Sequence, residues 1–187
     1  MASRRTKVLS WTCAGIVVAI AGAIFWQANR RPAVNQAQAK AMLPVINSYL
    51  GNNSQLAQFG GALDATLKPK VFCAASIIEI RPDGPRWRVG LQINCGEFAR
   101  RQNKLLEGSQ GYPGIADVAI LTHTGPHYQV ASLQVGPPYR DKSWVDQNFS
   151  SRAARWILSA SPPTAPGPIG QAWRAFGFPA GTQPAGR

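Results

Sequence analysis

The residues best suited to carry out chemistry are Cys73 and Cys95, which lie on either side of the turn-forming sequence RPDGP at 81–85. Proline fixes φ and glycine permits positive φ, so this run predicts a tight reversal of the chain. From Trp87 to Cys95 apolar and polar residues alternate, with the period of a strand that buries one face. A hairpin symmetric about Gly84 pairs the two cysteines at the short separation that a disulfide needs. The sequence therefore predicts a Cys73–Cys95 disulfide, with two reduced buried thiols as the alternative.

Histidine chemistry has weaker support. His123 and His127 flank a second turn at 124–126, and a hairpin symmetric about its glycine would place them opposite each other. Such a pair could begin a metal site, but a catalytic metal usually takes three protein ligands, and Asp117 and Asp141 are only nearby in sequence. We therefore favour two solvated turn residues and predict no metal site. The histidines stay weak metal candidates.

No motif for catalysis or cofactor binding is present. The glycines form no phosphate-binding loop, and no elbow motif singles out a nucleophilic serine. Glu79, Glu97 and Glu107 are too dispersed to nominate a pair of catalytic carboxylates. The sequence thus predicts no catalytic residue and no cofactor, and an enzyme is the less favoured class. The alternative function is a membrane-anchored hydrolase or metal-dependent enzyme that uses His123 and His127.

The N-terminus predicts a transmembrane signal-anchor helix at 8–28, preceded by a basic cytoplasmic segment at 1–7. Val8 to Trp26 contains no charged residue and is close to the ~20 residues that cross a bilayer. Tryptophans and basic residues stand near both of its ends, as at membrane interfaces. The alternative is a secretory signal cleaved near 21–23, which would release the protein.

The cysteines decide the orientation of this anchor. Lys and Arg are almost equally frequent before and after the apolar run, so the positive-inside rule does not decide it. Disulfides persist in oxidising compartments and are rare in the cytosol. We therefore predict a single-pass plasma-membrane protein whose domain at 32–158 is extracytoplasmic.

That domain is predicted to be α+β, with a small antiparallel four-stranded sheet built from two hairpins and helices packed on one side. The second hairpin is expected around the turn at 124–126. The segment 98–114 between the hairpins is interpreted as an exposed loop, and Glu79 as the exposed end of its strand. Helices are expected from about Val34 to Tyr49, after Ser54, and as one continuous helix from Ser143 to Leu158.

No residue motif identifies a family. The order of elements, an anchor, helices and then an antiparallel sheet, loosely resembles the cystatin and NTF2-like folds. The resemblance concerns element order alone and implies no function.

The segment 159–187 is rich in Pro, Gly and Ala and is predicted to be a flexible tail. Its aromatic residues Trp173, Phe176 and Phe178 have two interpretations. They fold back onto the domain, or they form a short motif that docks on a partner.

The positive charge has two interpretations, a solvated basic face that confers solubility or a surface that binds an anionic partner. The chain has 20 Lys and Arg against 8 Asp and Glu, and the excess persists outside the anchor. The predicted anionic-partner surface consists of Arg86, Arg88, Arg100, Arg101 and Lys104. Such a surface attracts anionic envelope polymers, lipid headgroups or an acidic protein, whereas nucleic acid does not fit the predicted compartment. The sequence thus predicts a non-catalytic binding or assembly module of the cell envelope, whose partner is another envelope or membrane protein or an anionic polymer. It does not define the oligomeric state.

Overall fold

The structure is a computed structural model that describes residues 31–125, 127–137, 140–159 and 167–185. The predicted anchor at 8–28 lies outside the described residues. Among those that are described, none of the helices combines the length and the apolar character needed to span a bilayer.

Four consecutive strands form an antiparallel meander in the described part of the chain, in the order β1-β2-β3-β4. They are β1 (Lys70–Asp83), β2 (Arg86–Arg101), β3 (Lys104–Thr124) and β4 (His127–Gln134). The helices are α1 (Gln36–Gly51), α2 (Ser54–Ala57), α3 (Lys142–Asn148), α4 (Ser151–Leu158) and α5 (Ile169–Phe176), with a 3₁₀ turn at Ala65–Leu67. The predicted α+β class and antiparallel sheet are confirmed.

A β-bulge sets the register of the first hairpin. Next to the turn, Asp83 pairs with Arg86, so the hairpin is not symmetric about Gly84 as predicted. The bulge at Ile78 shifts the register by one residue, and beyond it Ile77 pairs with its predicted partner. An extra residue in one strand has this effect because two residues then oppose one. The cysteines consequently meet as predicted, although the turn alone would misalign them.

Helices cover both faces of the sheet, which corrects the prediction of helices on one side. On one face, Leu91 and Ile93 pack with Met42 and Ile46 of α1. On the other face, Ile78, Val118 and Ile120 pack with the apolar stripe of α3 and α4, which includes Val145, Phe149, Ala153, Trp156 and Ile157. Successive side chains of β1 point to opposite faces, so Ile77 and Ile78 pack on different helical layers. The bulge adds Glu79 to the face of Ile78, where it contacts Ser150.

Glu79 is buried, with 6% of its surface exposed, rather than lying at an exposed strand end. Its carboxylate accepts hydrogen bonds from the Ser150 backbone N–H at 3.0 Å and from the Ser150 hydroxyl at 2.5 Å, and it pairs with Arg81 at 3.1 Å. Ser150 also caps α4. This contact ends α3 and begins α4, so the predicted continuous helix from Ser143 to Leu158 is two helices.

The segment 98–114 forms a third hairpin and is not an exposed loop. β2 continues to Arg101, a turn with Gln102 at φ 56° reverses the chain, and β3 begins at Lys104. Phe98 and Leu105 are fully buried there. The hairpin forms because another segment of the chain covers these side chains.

That covering segment is the C-terminal region, which is ordered wherever it is described and is therefore not the predicted flexible tail. At residues 167–185 it contains α5, whose Ala172 is fully buried against Phe98 and Leu105. Ala185 adds an isolated bridge to Leu106. The C-terminal segment buries apolar surface on the third hairpin, and this burial supplies the free energy that orders the segment. The Pro- and Gly-rich composition of the segment does not indicate this order.

Candidate functional site

The disulfide is present and buried. Cys73 and Cys95 are opposite each other in β1 and β2, with a Cα–Cα distance of 4.0 Å and a bond between their sulfurs. Exposed fractions of 1% and 0% place them within the core beneath α1. The predicted bridge is confirmed.

The histidines do not face each other. His123 pairs with Tyr128, and His127 pairs with Thr124, so the second hairpin is one residue out of the predicted register. The connection is two residues long, so His123 lies opposite Tyr128 and not opposite His127. Neighbouring residues of a strand point to opposite faces, so His127 lies on the other face from Tyr128 and His123. Within the described residues, no group of three His, Cys, Asp or Glu side chains is placed to hold a metal ion.

The predicted anionic-partner surface is divided between two ends of the sheet. Arg86 and Arg88 lie at the beginning of β2, whereas Arg100 and Arg101 lie at its end, next to Lys104 across the turn. Arg100 is twelve positions after Arg88, which corresponds to about 40 Å along a strand. Arg88 also donates hydrogen bonds to the backbone oxygen and the side chain of Asn148. The five residues therefore do not form one surface.

The C-terminal aromatics lie at the second of these ends. They are Trp173, Phe176 and Phe178, and they pack beside Phe98 and Leu105. These aromatics therefore fold back onto the domain, which is the first of their two predicted interpretations. Arg100 donates to the backbone oxygen of Phe176 at 3.0 Å, and its guanidinium lies 5.3 Å from the ring centre of Phe178. Cations over aromatic rings are attracted by the ring quadrupole. Arg100 and the C-terminal aromatics thus form one structural unit.

A groove opens beside this unit, between α1, the segment 57–71 and the beginning of β1. It has a volume of about 890 Å³, and its lining includes Asn47, Ser48, Asn52, Lys68, Lys70, Val71, Phe72, Glu97 and Gln171. Two lining amides hold the outer edge of β1, since Asn47 accepts from the Ala75 N–H at 3.0 Å and Gln171 donates to the Cys73 oxygen at 2.6 Å. The groove is consequently built on a fixed strand edge.

The carboxylate of Glu97 organises one wall of the groove. It is 2% exposed and accepts hydrogen bonds from the backbone N–H groups of Gly61, Ala62 and Leu63 at 2.7, 2.8 and 3.0 Å. Gly108 permits this placement, because a Cβ there would lie 2.6 Å from Glu97 Oε2. A carboxylate with three backbone donors is a structural anchor and is not poised as a general base.

Glu97→Gln should lower the free energy of unfolding by about 2 kcal/mol, because the amide offers one acceptor where three donors converge. The loss should appear in urea denaturation, together with faster hydrogen exchange at residues 61–63. Glu107→Gln is the matched control, since Glu107 is on the adjacent strand and only half-buried. Equal losses for the two variants would contradict the anchoring role.

Asp64 caps the 3₁₀ turn at the rim of this region. Its carboxylate accepts from the Thr66 backbone N–H at 2.9 Å and from the Thr66 hydroxyl at 2.8 Å. These two bonds, with a smaller contribution from the positive charge of Arg101, lower the pKa of Asp64 below its ordinary value of 3.8. A lowered pKa in the folded state stabilises the fold above the unfolded pKa, and this stabilisation is lost as the pH falls through the lowered value.

An NMR titration should accordingly place the Asp64 midpoint below 3.8. Thr66→Ala should raise the pKa only part of the way back, because it removes the hydroxyl donor and keeps the stronger backbone donor. An unchanged midpoint in this variant would show that the hydroxyl bond does not form.

The groove was not predictable from the sequence, because its lining residues come from separate parts of the chain. Asn47 lies on α1, Lys68 follows the 3₁₀ turn, and Gln171 lies on α5. The one usable sign was a polar Asn47 beside the buried Ile46 on an amphipathic helix.

Comparison of the chain with known protein families, with curated proteins and with solved structures finds no match in any of the three. The resemblance in element order to the cystatin and NTF2-like folds stays a prediction.

Proposed function

We propose that this chain is a single-pass membrane protein whose α+β domain is a non-catalytic binding or assembly module on the extracytoplasmic side. The observation that carries the proposal is the buried Cys73–Cys95 disulfide. Structural disulfides of this kind form and persist in oxidising compartments. The uncharged run from Val8 to Trp26 supports the anchor, because its length is close to the ~20 residues that cross a bilayer.

A binding role is supported by how the polar groups are used. The buried carboxylates of Glu79 and Glu97 are engaged by backbone donors, and Glu79 also pairs with Arg81. Both therefore hold the fold together. The cations of the groove and of the neighbouring hairpin are exposed instead, at Lys68, Lys70, Arg100, Arg101, Lys104 and Arg174. An exposed cationic end attracts anionic partners over a distance comparable to the Debye length.

Reporter fusions test the orientation. Alkaline phosphatase fused after Arg187 should be active in a bacterial host, because this enzyme needs disulfides formed outside the cytoplasm. A green fluorescent protein fused at the same position should be dark after export through the general secretory route. A fluorescent fusion together with an inactive phosphatase would overturn the proposal.

Fractionation separates the anchor from the secreted alternative. The 20.1 kDa chain should stay in the membrane pellet after carbonate extraction. A shorter chain in the soluble extracytoplasmic fraction would show that the segment at 8–28 is a cleaved signal and not an anchor.

A further inference from the structure

We propose that the groove between α1 and α5 binds an extended acidic peptide segment of a partner protein. This inference deepens the proposed function, on which it rests for the compartment in which the partner is met. It names the binding site and the chemical class of the partner.

The shape of the site suits an extended chain. The groove of about 890 Å³ adjoins a second cavity of about 610 Å³, and the two share Asn47, Ser48, Phe72 and Gln171 in their linings. They therefore form one continuous groove, which passes from Lys68 to Arg174 between two helices. A strand advances ~3.3 Å per residue, so a groove of this size receives several residues of an extended peptide.

The charge of the site is positive. Lys68 and Lys70 line the larger cavity and Arg174 lines the smaller one, and all three are exposed. Among the described lining residues the one carboxylate is Glu97, and three backbone N–H groups surround it. Among these lining residues, no solvated carboxylate therefore neutralises the positive charges of Lys68, Lys70 and Arg174. Such an arrangement favours acidic side chains in register with the cations.

The polar lining distinguishes a peptide from other anions. Asn47, Asn52 and Gln171 carry amides, each with both a donor and an acceptor. Asn47 and Gln171 already bind the backbone of β1 through one amide atom each. Their second amide atoms, one donor and one acceptor, make no hydrogen bond to any residue the structure describes, and they match the C=O and N–H of a peptide. A polyphosphate or a lipid phosphate only accepts hydrogen bonds, and it gains nothing from an acceptor in the wall.

The test uses the full-length chain purified in a neutral detergent. The probe is a fluorescein-labelled peptide of about ten alternating Glu and Ser residues, followed by anisotropy at about 50 mM salt, where screening is weak. Lys68→Glu combined with Lys70→Glu should weaken binding by at least about tenfold. Arg152→Glu combined with Arg155→Glu makes the same change of charge on exposed residues of α4, and should leave the affinity within about twofold.

A steric variant separates the groove from a general charge effect. Ser48 is exposed and lines both cavities, so Ser48→Trp fills the groove and keeps the net charge. It should also weaken peptide binding by at least about tenfold. The proposal is overturned if Ser48→Trp binds the peptide as the parent does, or if both charge-reversal variants lose affinity equally.

Inorganic polyphosphate provides the competing class of ligand. Polyphosphate should displace the peptide only when its concentration of negative charges is much higher than that of the peptide. Its binding should be insensitive to Ser48→Trp. Polyphosphate that binds as well as the peptide and responds to the same variants would contradict a peptide site. Peptide binding by purified protein does not depend on membrane orientation, so a cytoplasmic reporter result would remove the proposed compartment and leave the groove assignment to be judged on affinity.

Discussion

Replacing Cys73 and Cys95 together by alanine is expected to lower the free energy of unfolding by about 3 kcal/mol. The two residues are 22 positions apart, and a cross-link over a loop of that length restricts the unfolded chain by about this amount. The bond joins the edge strand β1 to β2, in the core beneath α1. Chemical denaturation of the full-length chain in detergent measures the change.

Reduction of the unsubstituted protein is the matched control. A reductant opens the same cross-link and leaves no cavity, so its effect isolates the contribution of the bond from that of lost packing. Cys13→Ala under oxidising conditions should leave the denaturation midpoint unchanged. Equal stability of the oxidised protein and the double variant would contradict a cross-link that restricts the unfolded chain.

Phe98→Ala is expected to cost about 3–5 kcal/mol and to release the C-terminal segment. Phe98 is fully buried at the third hairpin, where Ala172 and the aromatic residues of the C-terminal segment pack on it. Its ring lies 6.1 Å from that of Phe72, which in turn contacts Phe176 at 6.0 Å. Hydrogen exchange at Ile169–Phe176 should therefore accelerate strongly.

Phe149→Ala controls for the general effect of losing a buried ring. Phe149 is 4% exposed and packs with the cluster formed by α3 and α4 on the sheet. It should reduce stability by a similar amount, about 3–5 kcal/mol, without selective loosening of α5. A C-terminal segment that exchanges at the same rate in both variants would argue against docking through Phe98.

The first hairpin was predictable because its local patterns agree. Proline and glycine mark the turn, and the alternation from Trp87 to Cys95 identifies the buried face. The bulge at Ile78 was not predictable, since it depends on contacts from both sides of the sheet. Ile77 and Ile78 are consecutive apolar residues, which is what a strand covered on both faces shows.

The C-terminal half was predicted less well because its burial is non-local. Phe98 and Leu105 stand among charged residues, and their cover comes from α5, more than sixty residues further along the chain. A Pro- and Gly-rich composition indicates disorder only when no complementary surface exists elsewhere. The groove was hidden for the same reason, since no single segment contains its lining.

Thiol counting on the native protein measures whether the first hairpin is oxidised, as a place outside the cytoplasm would have it. Protein from intact cells is denatured without reductant, alkylated and weighed by mass spectrometry. Of its three cysteines, only Cys13 should carry the label, and reduction before alkylation should add Cys73 and Cys95. Three labelled cysteines without reduction would show that the Cys73–Cys95 bridge is absent from the native protein.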